Sequence, residues 1–304
     1  MSTGHTLAGI FMKTIIILPV LFLFSFATYA TSQFSDILIW NGETLMLFTN
    51  PLDSLPDWKN YDKIIRQEIE NEDRKLNPEK YEKEHESLWS TACLRGYVAE
   101  WKIIDDKIYL CNIYSCHNNL KINLHSVFPG KLQDDIMFAS WIQGELRVPQ
   151  GKCLEWINLD YLSIYEQECS LQFTNGQLID TVLYHNYIVK ESRFSLDPNP
   201  NNLLEFIYSN IIWEDLPNME NDHFQVVIGV QPNIRGEIDS IIWNNTHCFS
   251  KSGFQFNKDN AFIKEAIRIA YLIPEWDVIV QRGRIVPRAL SLLFDVNQRK
   301  KYTR

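Results

Sequence analysis

Glu166 and His185 are the two residues whose types and spacing come nearest to chemistry. In IYEQECSLQFTNGQLIDTVLYHN the Asn175-Gly176 dipeptide predicts a two-residue turn. Thr174 then faces Gln177, and the same register sets Glu166 directly opposite His185. A carboxylate beside an imidazole orients the ring and raises its pKa, as a general base in a hydrolase requires. The competing reading is a cross-strand polar pair on a solvated face, worth a fraction of a kcal/mol to about 1 kcal/mol. Glu168, Ser170 and Gln172 share the face of Glu166 and are all polar, which favours the polar pair. The opposite face, with Cys169, Leu171 and Phe173 against Leu178, Val182 and Tyr184, is the expected core.

Other candidates carry less. Adjacent Asp134 and Asp135 would point to opposite faces of a strand, so they read as a turn rather than a metal pair. His117 and His125 have no ligand spacing around them, and no C-x-x-C, G-x-S-x-G, H-E-x-x-H, Walker or Gly-rich dinucleotide motif occurs. The reading therefore assigns no cofactor and no metal. Of the six cysteines, Cys93 and Cys116 flank a hairpin turning at Asp105-Asp106 and come within about two residues of facing each other. A disulfide between them would close a loop of about 24 residues and contribute about 3 kcal/mol; two buried free thiols are the alternative. Asn244-Asn245-Thr246 is a formal glycosylation sequon.

The elements that must position these residues are mostly short strands. DILIWNGETLMLF (36–48) alternates around Asn41-Gly42, GYVAEWKIIDDKIYLCNIYSC around Asp105-Asp106, and FASWIQGELRV leads into a tight turn at Pro149-Gln150-Gly151. An antiparallel meander is expected over 31–194, interrupted at about 59–88 by a Glu- and Lys-rich helical insertion broken near Pro78. SLDPNPNN, Ser195 to Asn202, reads as a linker.

Beyond the linker the pattern changes. LLEFIYSNIIW places Leu203, Phe206, Ile207 and Ile211 on one helical face; FQVVIGVQ alternates as a strand; Arg235-Gly236-Glu237 turns into EIDSIIW. A second helix over Phe262 to Leu272 buries Ile263, Ala266, Ile267 and Ala270, and ALSLLFDV closes as a strand. Helix, two strands, helix, strand, with IPEW and then Gly283, resembles the C-terminal domain of TonB-type proteins over about residues 203–302. The resemblance implies an α+β fold with a small αββαβ C-terminal domain, in which Pro274 stops the helix, Trp276 caps the helix–sheet core and Gly283 precedes the last strand. It further implies a periplasmic protein that takes an extended peptide by strand addition at a sheet edge, here near Arg284, Ile285 and Arg288. Pro287 removes one ladder donor there. The long Pro-rich spacer of that family is missing. The β-rich half, with ACLRGYVAEWKIIDDKIYL and WIQGELRVPQGK, resembles uncharacterised secreted bacterial proteins.

Export has its own signal. Met12 and Lys13 precede TIIILPVLFLFSFATYA, an apolar run of about 16 residues where a spanning helix needs about 20, ending in small residues suited to cleavage after Ala27 or Ala30. A signal peptide over 1–30, with a start at Met12, is expected, with a periplasmic or secreted product and no stable membrane span after cleavage. Losing Lys13 takes the formal net charge from −9 to −10, with 28 Lys and Arg against 38 Asp and Glu. An acidic chain argues against nucleic acid as a partner and for a protein or peptide partner in the cell envelope. The first expectation is thus a binding module without catalysis. The alternatives are an envelope hydrolase using Glu166 and His185, or an accessory protein that neutralises an effector.

Overall fold

The turn dipeptides are backbone positions that demand a positive φ, and they fix the hairpins. The computed structural model describes residues 33–76, 91–158, 161–195, 201–219, 222–251, 253–255 and 258–303. The expected leader, the Pro78 break and the middle of the linker lie outside these residues. Strands β1 (Asp36–Trp40) and β2 (Glu43–Leu47) turn at Asn41 (φ 52°) and Gly42 (φ 80°). β3 (Tyr97–Ile104) and β4 (Lys107–Ser115) turn at Asp105 and Asp106, both with positive φ. After the two-residue β5 (Met137–Phe138) come β6 (Gly144–Glu155), β7 (Ile164–Thr174) and β8 (Gln177–His185), the last two joined at Asn175-Gly176. Positive φ at both central residues matches the right-handed twist of the flanking strands.

These strands form one sheet in the order β2-β1-β3-β4-β8-β7-β6, with β5 on β4. Two features depart from a plain meander. β1 and β3 pair in parallel, Ile37 with Glu100 through Ile39 with Lys102, because the long helix Trp58–Leu76 carries the chain back across the sheet between them. Pro149-Gln150-Gly151 is not a turn: β6 runs through it, and Gly151 (φ 77°) sits at a register shift between Gln150 and Cys153. The sheet coils until its end strands meet, where Phe48 N–H donates to the Arg147 carbonyl at 2.7 Å and Arg147 N–H to Thr49 Oγ1 at 3.1 Å. That contact leaves β2 and β6 without an open edge there.

Inside lie Leu38, Tyr97, Trp101, Leu110, Val148, Leu171 and Phe173, closed by Ile65 and Ile69 of the helix and by Phe128. At the rim Asp36 is fully buried yet fully used. It accepts from Arg95 Nη2 (2.6 Å), Ala99 N (2.8 Å) and Trp101 Nε1 (2.9 Å). Burial pushes its carboxyl above the ordinary range although Arg95 pulls the other way.

β9 (Tyr187–Lys190) leaves this sheet and pairs with β13 (Val278–Gln281), which in turn pairs with β14 (Arg284–Ile285). The remaining elements are a helix Asn201–Ser209, β10 (Phe224–Pro232), β11 (Ile238–Ser250), β12 (Gly253–Gln255), a helix Ala261–Leu272, β15 (Arg288–Phe294) and a last helix Val296–Tyr302. Their sheet order is β12-β11-β10-β15. Alternation puts Val226, Ile228, Val230, Leu290, Leu292 and Phe294 on the face that Ile263, Ala266, Ile269 and Ala270 cover. Asn260 Oδ1 caps the covering helix through Phe262 N and Ile263 N. The class is mixed α+β.

Candidate functional site

The register of the β7–β8 hairpin decides the fate of the Glu–His pair. Thr174 faces Gln177 as expected, but one extra residue, Ile179, enters β8 between the partners of Phe173 and Gln172. From there every pairing moves by one, so His185 faces Gln167 and Tyr184 faces Glu168. Glu166 and His185 are both exposed and are not cross-strand partners. Glu166 instead accepts from Lys152 N at 3.0 Å, in the space that Gly151 leaves open.

The shift also changes what covers the face expected to be solvated. Glu168 and Ser170 are buried. Arg147 Nε and Nη2 each donate to Glu168 at 2.9 Å, Arg282 Nε donates at 2.6 Å and Gln281 Nε2 at 3.2 Å. Arg282 also pairs with Glu145, and its guanidinium lies 5.0 Å from the Tyr184 ring centre. Burial alone would raise the Glu168 pKa; hydrogen bonds and charge from Arg147 and Arg282 overcome it and hold the carboxyl below the ordinary range. Glu168 therefore stays ionised and serves as an anchor rather than a proton carrier.

Arg282 reaches it from the tip of the β13–β14 hairpin, with φ 52° at Arg282 and 75° at Gly283. Its N–H donates to Asn186 Oδ1 at 2.9 Å, and the Asn186 side-chain amide donates to the Tyr165 carbonyl at 2.8 Å. At the far end of the β9–β13 pairing, Lys190 pairs with Glu275 at 2.7 Å. The Arg-Gly dipeptide between VIVQ and RIV was the sequence signal for this turn.

The other expected positions separate. Arg284 is exposed on two-residue β14, and Ile285 is half-buried with its carbonyl accepting from Gln231 Nε2 at 3.3 Å. Arg288 is turned inward, with Nη1 at 2.6 and 2.7 Å from the two oxygens of Glu155. Pro287 separates β14 from β15. Pro274 follows the end of the Ala261–Leu272 helix, and Trp276 is buried in the core of the C-terminal sheet. Trp276 N donates to the Gly236 carbonyl at 2.8 Å, and any Cβ on Gly236 would lie 2.8 Å from the Trp276 carbonyl oxygen.

Cys93 and Cys116 form a disulfide. Asp135 pairs with His125 at 2.8 Å on the surface, and Asp134 and Asp135 both take positive φ in a turn. Thr246 of the sequon is buried, its hydroxyl accepting from Gly229 N and donating to the Ile242 carbonyl. Among the described residues no three His, Cys, Asp or Glu side chains converge as metal ligands, and no helix is long and apolar enough to cross a membrane. In comparisons with protein-family models, curated proteins and solved structures, nothing matches the chain.

Proposed function

We propose that this is an exported cell-envelope protein that binds a protein or peptide partner through a TonB-like C-terminal domain and performs no catalysis. One observation carries the reading. Among the described residues the C-terminal sheet ends with β15 beside β10, and no strand lies on the far side of β15. Leu293 N and the Leu293 carbonyl both bond to the Tyr208 hydroxyl rather than to β10. Alternation then turns the N–H and C=O groups of Ala289 and Ser291 toward the same open side, which is what strand addition uses. Arg284 stands exposed on neighbouring β14. Arg288 holds Glu155 and belongs to the scaffold of this edge. The apolar leader and the acidic balance support an envelope location and a protein rather than nucleic-acid partner.

The test is affinity capture from an envelope extract with the wild-type chain and with Ala289→Pro and Ser291→Pro. Proline at these positions removes an outward donor while leaving the bonds to β10. Folded variants that lose the captured partner support the reading; folded variants that capture it unchanged overturn it.

A further inference from the structure

A longer open edge lies in the other sheet. β4 and β8 pair only at Lys107 and Gln177, flanked by two further bonds, Leu178 N to the Asp106 carbonyl at 2.7 Å and Ile108 N to the Gly176 carbonyl at 3.0 Å. Past that point β4 turns to β5, and among the described residues β8 has no strand on its side away from β7. Asn186 N donates to Glu166 on β7, so alternation aims the backbone groups of Leu183 and His185 outward. Thr181 N–H is met by its neighbour Asp180, leaving the Thr181 carbonyl free to accept from a partner strand.

The side chains along this edge are unusual for an open strand. Register places Leu183 and Thr181 on the face where Cys169 and Leu171 are buried, yet Leu183 is 48% exposed and the bulged Ile179 is 63% exposed. The interior face of the sheet therefore continues past β7 into solvent. Open strands are ordinarily guarded by Lys, Pro or short length; β8 spans nine residues and holds neither Lys nor Pro. Elsewhere β2 meets β6, β14 has two residues and β12 three, and Tyr208 takes the Leu293 end of β15, whose remaining edge is the one proposed above.

We propose that the outer edge of β8 is a second strand-accepting site, and that its occupant is an extended peptide with apolar side chains at alternate positions. The apolar set would lie beside Leu183 and Ile179 and complete the interior face. Asp180 is the only Asp, Glu, Lys or Arg on β8, so a Lys or Arg among the peptide's other residues is favoured by charge. A second copy of the chain fits less well. An edge of nine residues covers far less than the ~800 Å² per partner that a stable dimer needs, whereas a peptide needs only the edge.

The probe is an end-blocked, fluorescein-labelled nonapeptide alternating valine with threonine, one threonine replaced by lysine, read by fluorescence anisotropy against the full chain. Saturable binding is expected, weakened at least about tenfold by Leu183→Lys, which places a guarding charge on the edge. Asp180→Lys, an exposed change that leaves the ladder to β7 intact, should reverse preference toward the same peptide with glutamate in place of lysine. Absence of saturable binding, equal affinity of the Leu183→Lys chain, or no charge preference in Asp180→Lys would overturn the proposal. So would sedimentation of the wild type as a dimer that Leu183→Lys dissociates, since the occupant would then be a second copy. Ala289→Pro and Ser291→Pro leave this site intact, so those variants should bind the probe normally whether or not the C-terminal edge binds anything.

Discussion

Glu168 is one buried carboxylate on which two guanidiniums converge, those of Arg147 and Arg282. Replacing it with Gln takes the ionic partner from Arg147 and leaves Arg282 with Glu145 alone, and chemical denaturation of Glu168→Gln should show a loss of about 2–3 kcal/mol. Because its folded pKa is depressed below the ordinary 4.5, its contribution is fully present above that value and is lost as pH falls through the lower folded pKa. Wild-type stability should therefore fall on acidification below about pH 4.5, with a shallower fall in Glu168→Gln. Glu166→Gln and His185→Ala, by contrast, change exposed side chains and should each move stability by less than about 0.5 kcal/mol. The sequence made Glu168 look like a solvated neighbour of Glu166 because alternation reports which face a residue shares. It does not report what later covers that face, and Arg282, which covers it, lies more than a hundred residues away.

At the scale of elements, the turns were legible because Asn-Gly and Asp-Asp dipeptides tolerate the left-handed backbone that two-residue hairpins require. Bulges were not legible. Ile179 adds one residue to β8 without any Gly or Pro to mark it, and Gly151 marks a bulge in β6 where Pro-Gln-Gly suggested a turn. The parallel β1–β3 pair was hidden for a related reason, since pairing direction depends on the route of the intervening helix rather than on either strand. Gly236 offers a test of close approach against conformation alone. Gly236→Ala must accept φ 81° and a Cβ 2.8 Å from a backbone oxygen, whereas Gly42→Ala accepts φ 80° with nothing within 4 Å. Thermal unfolding should find Gly42→Ala costing about 1 kcal/mol and Gly236→Ala at least about twice that, with the packing of Trp276 disturbed in tryptophan fluorescence. Reduction of Cys93–Cys116 should cost about 3 kcal/mol, read as a lower denaturation midpoint in reductant that Cys93→Ser reproduces.

At the scale of the whole molecule, a coiled sheet and a helix-covered sheet are joined by β9 on β13 and by the ion pairs of Arg282, Arg288 and Lys190. The C-terminal half was legible in part, since β12, the β13–β14 hairpin and the last helix lie outside the expected order of helix, two strands, helix and strand. Its helical stripes and strand alternation carry local periods, while the inserted β13–β14 hairpin depends on a partner strand from the other half. The proposed binding function rests on β15 meeting a partner through its open side. Hydrogen exchange of the β15 amides, with and without the partner captured from the envelope, tests that claim most directly. The account predicts that Ala289 and Ser291 become strongly protected on binding while the amides facing β10 change little. Unchanged exchange at Ala289 and Ser291, with protection elsewhere on the surface, would contradict it.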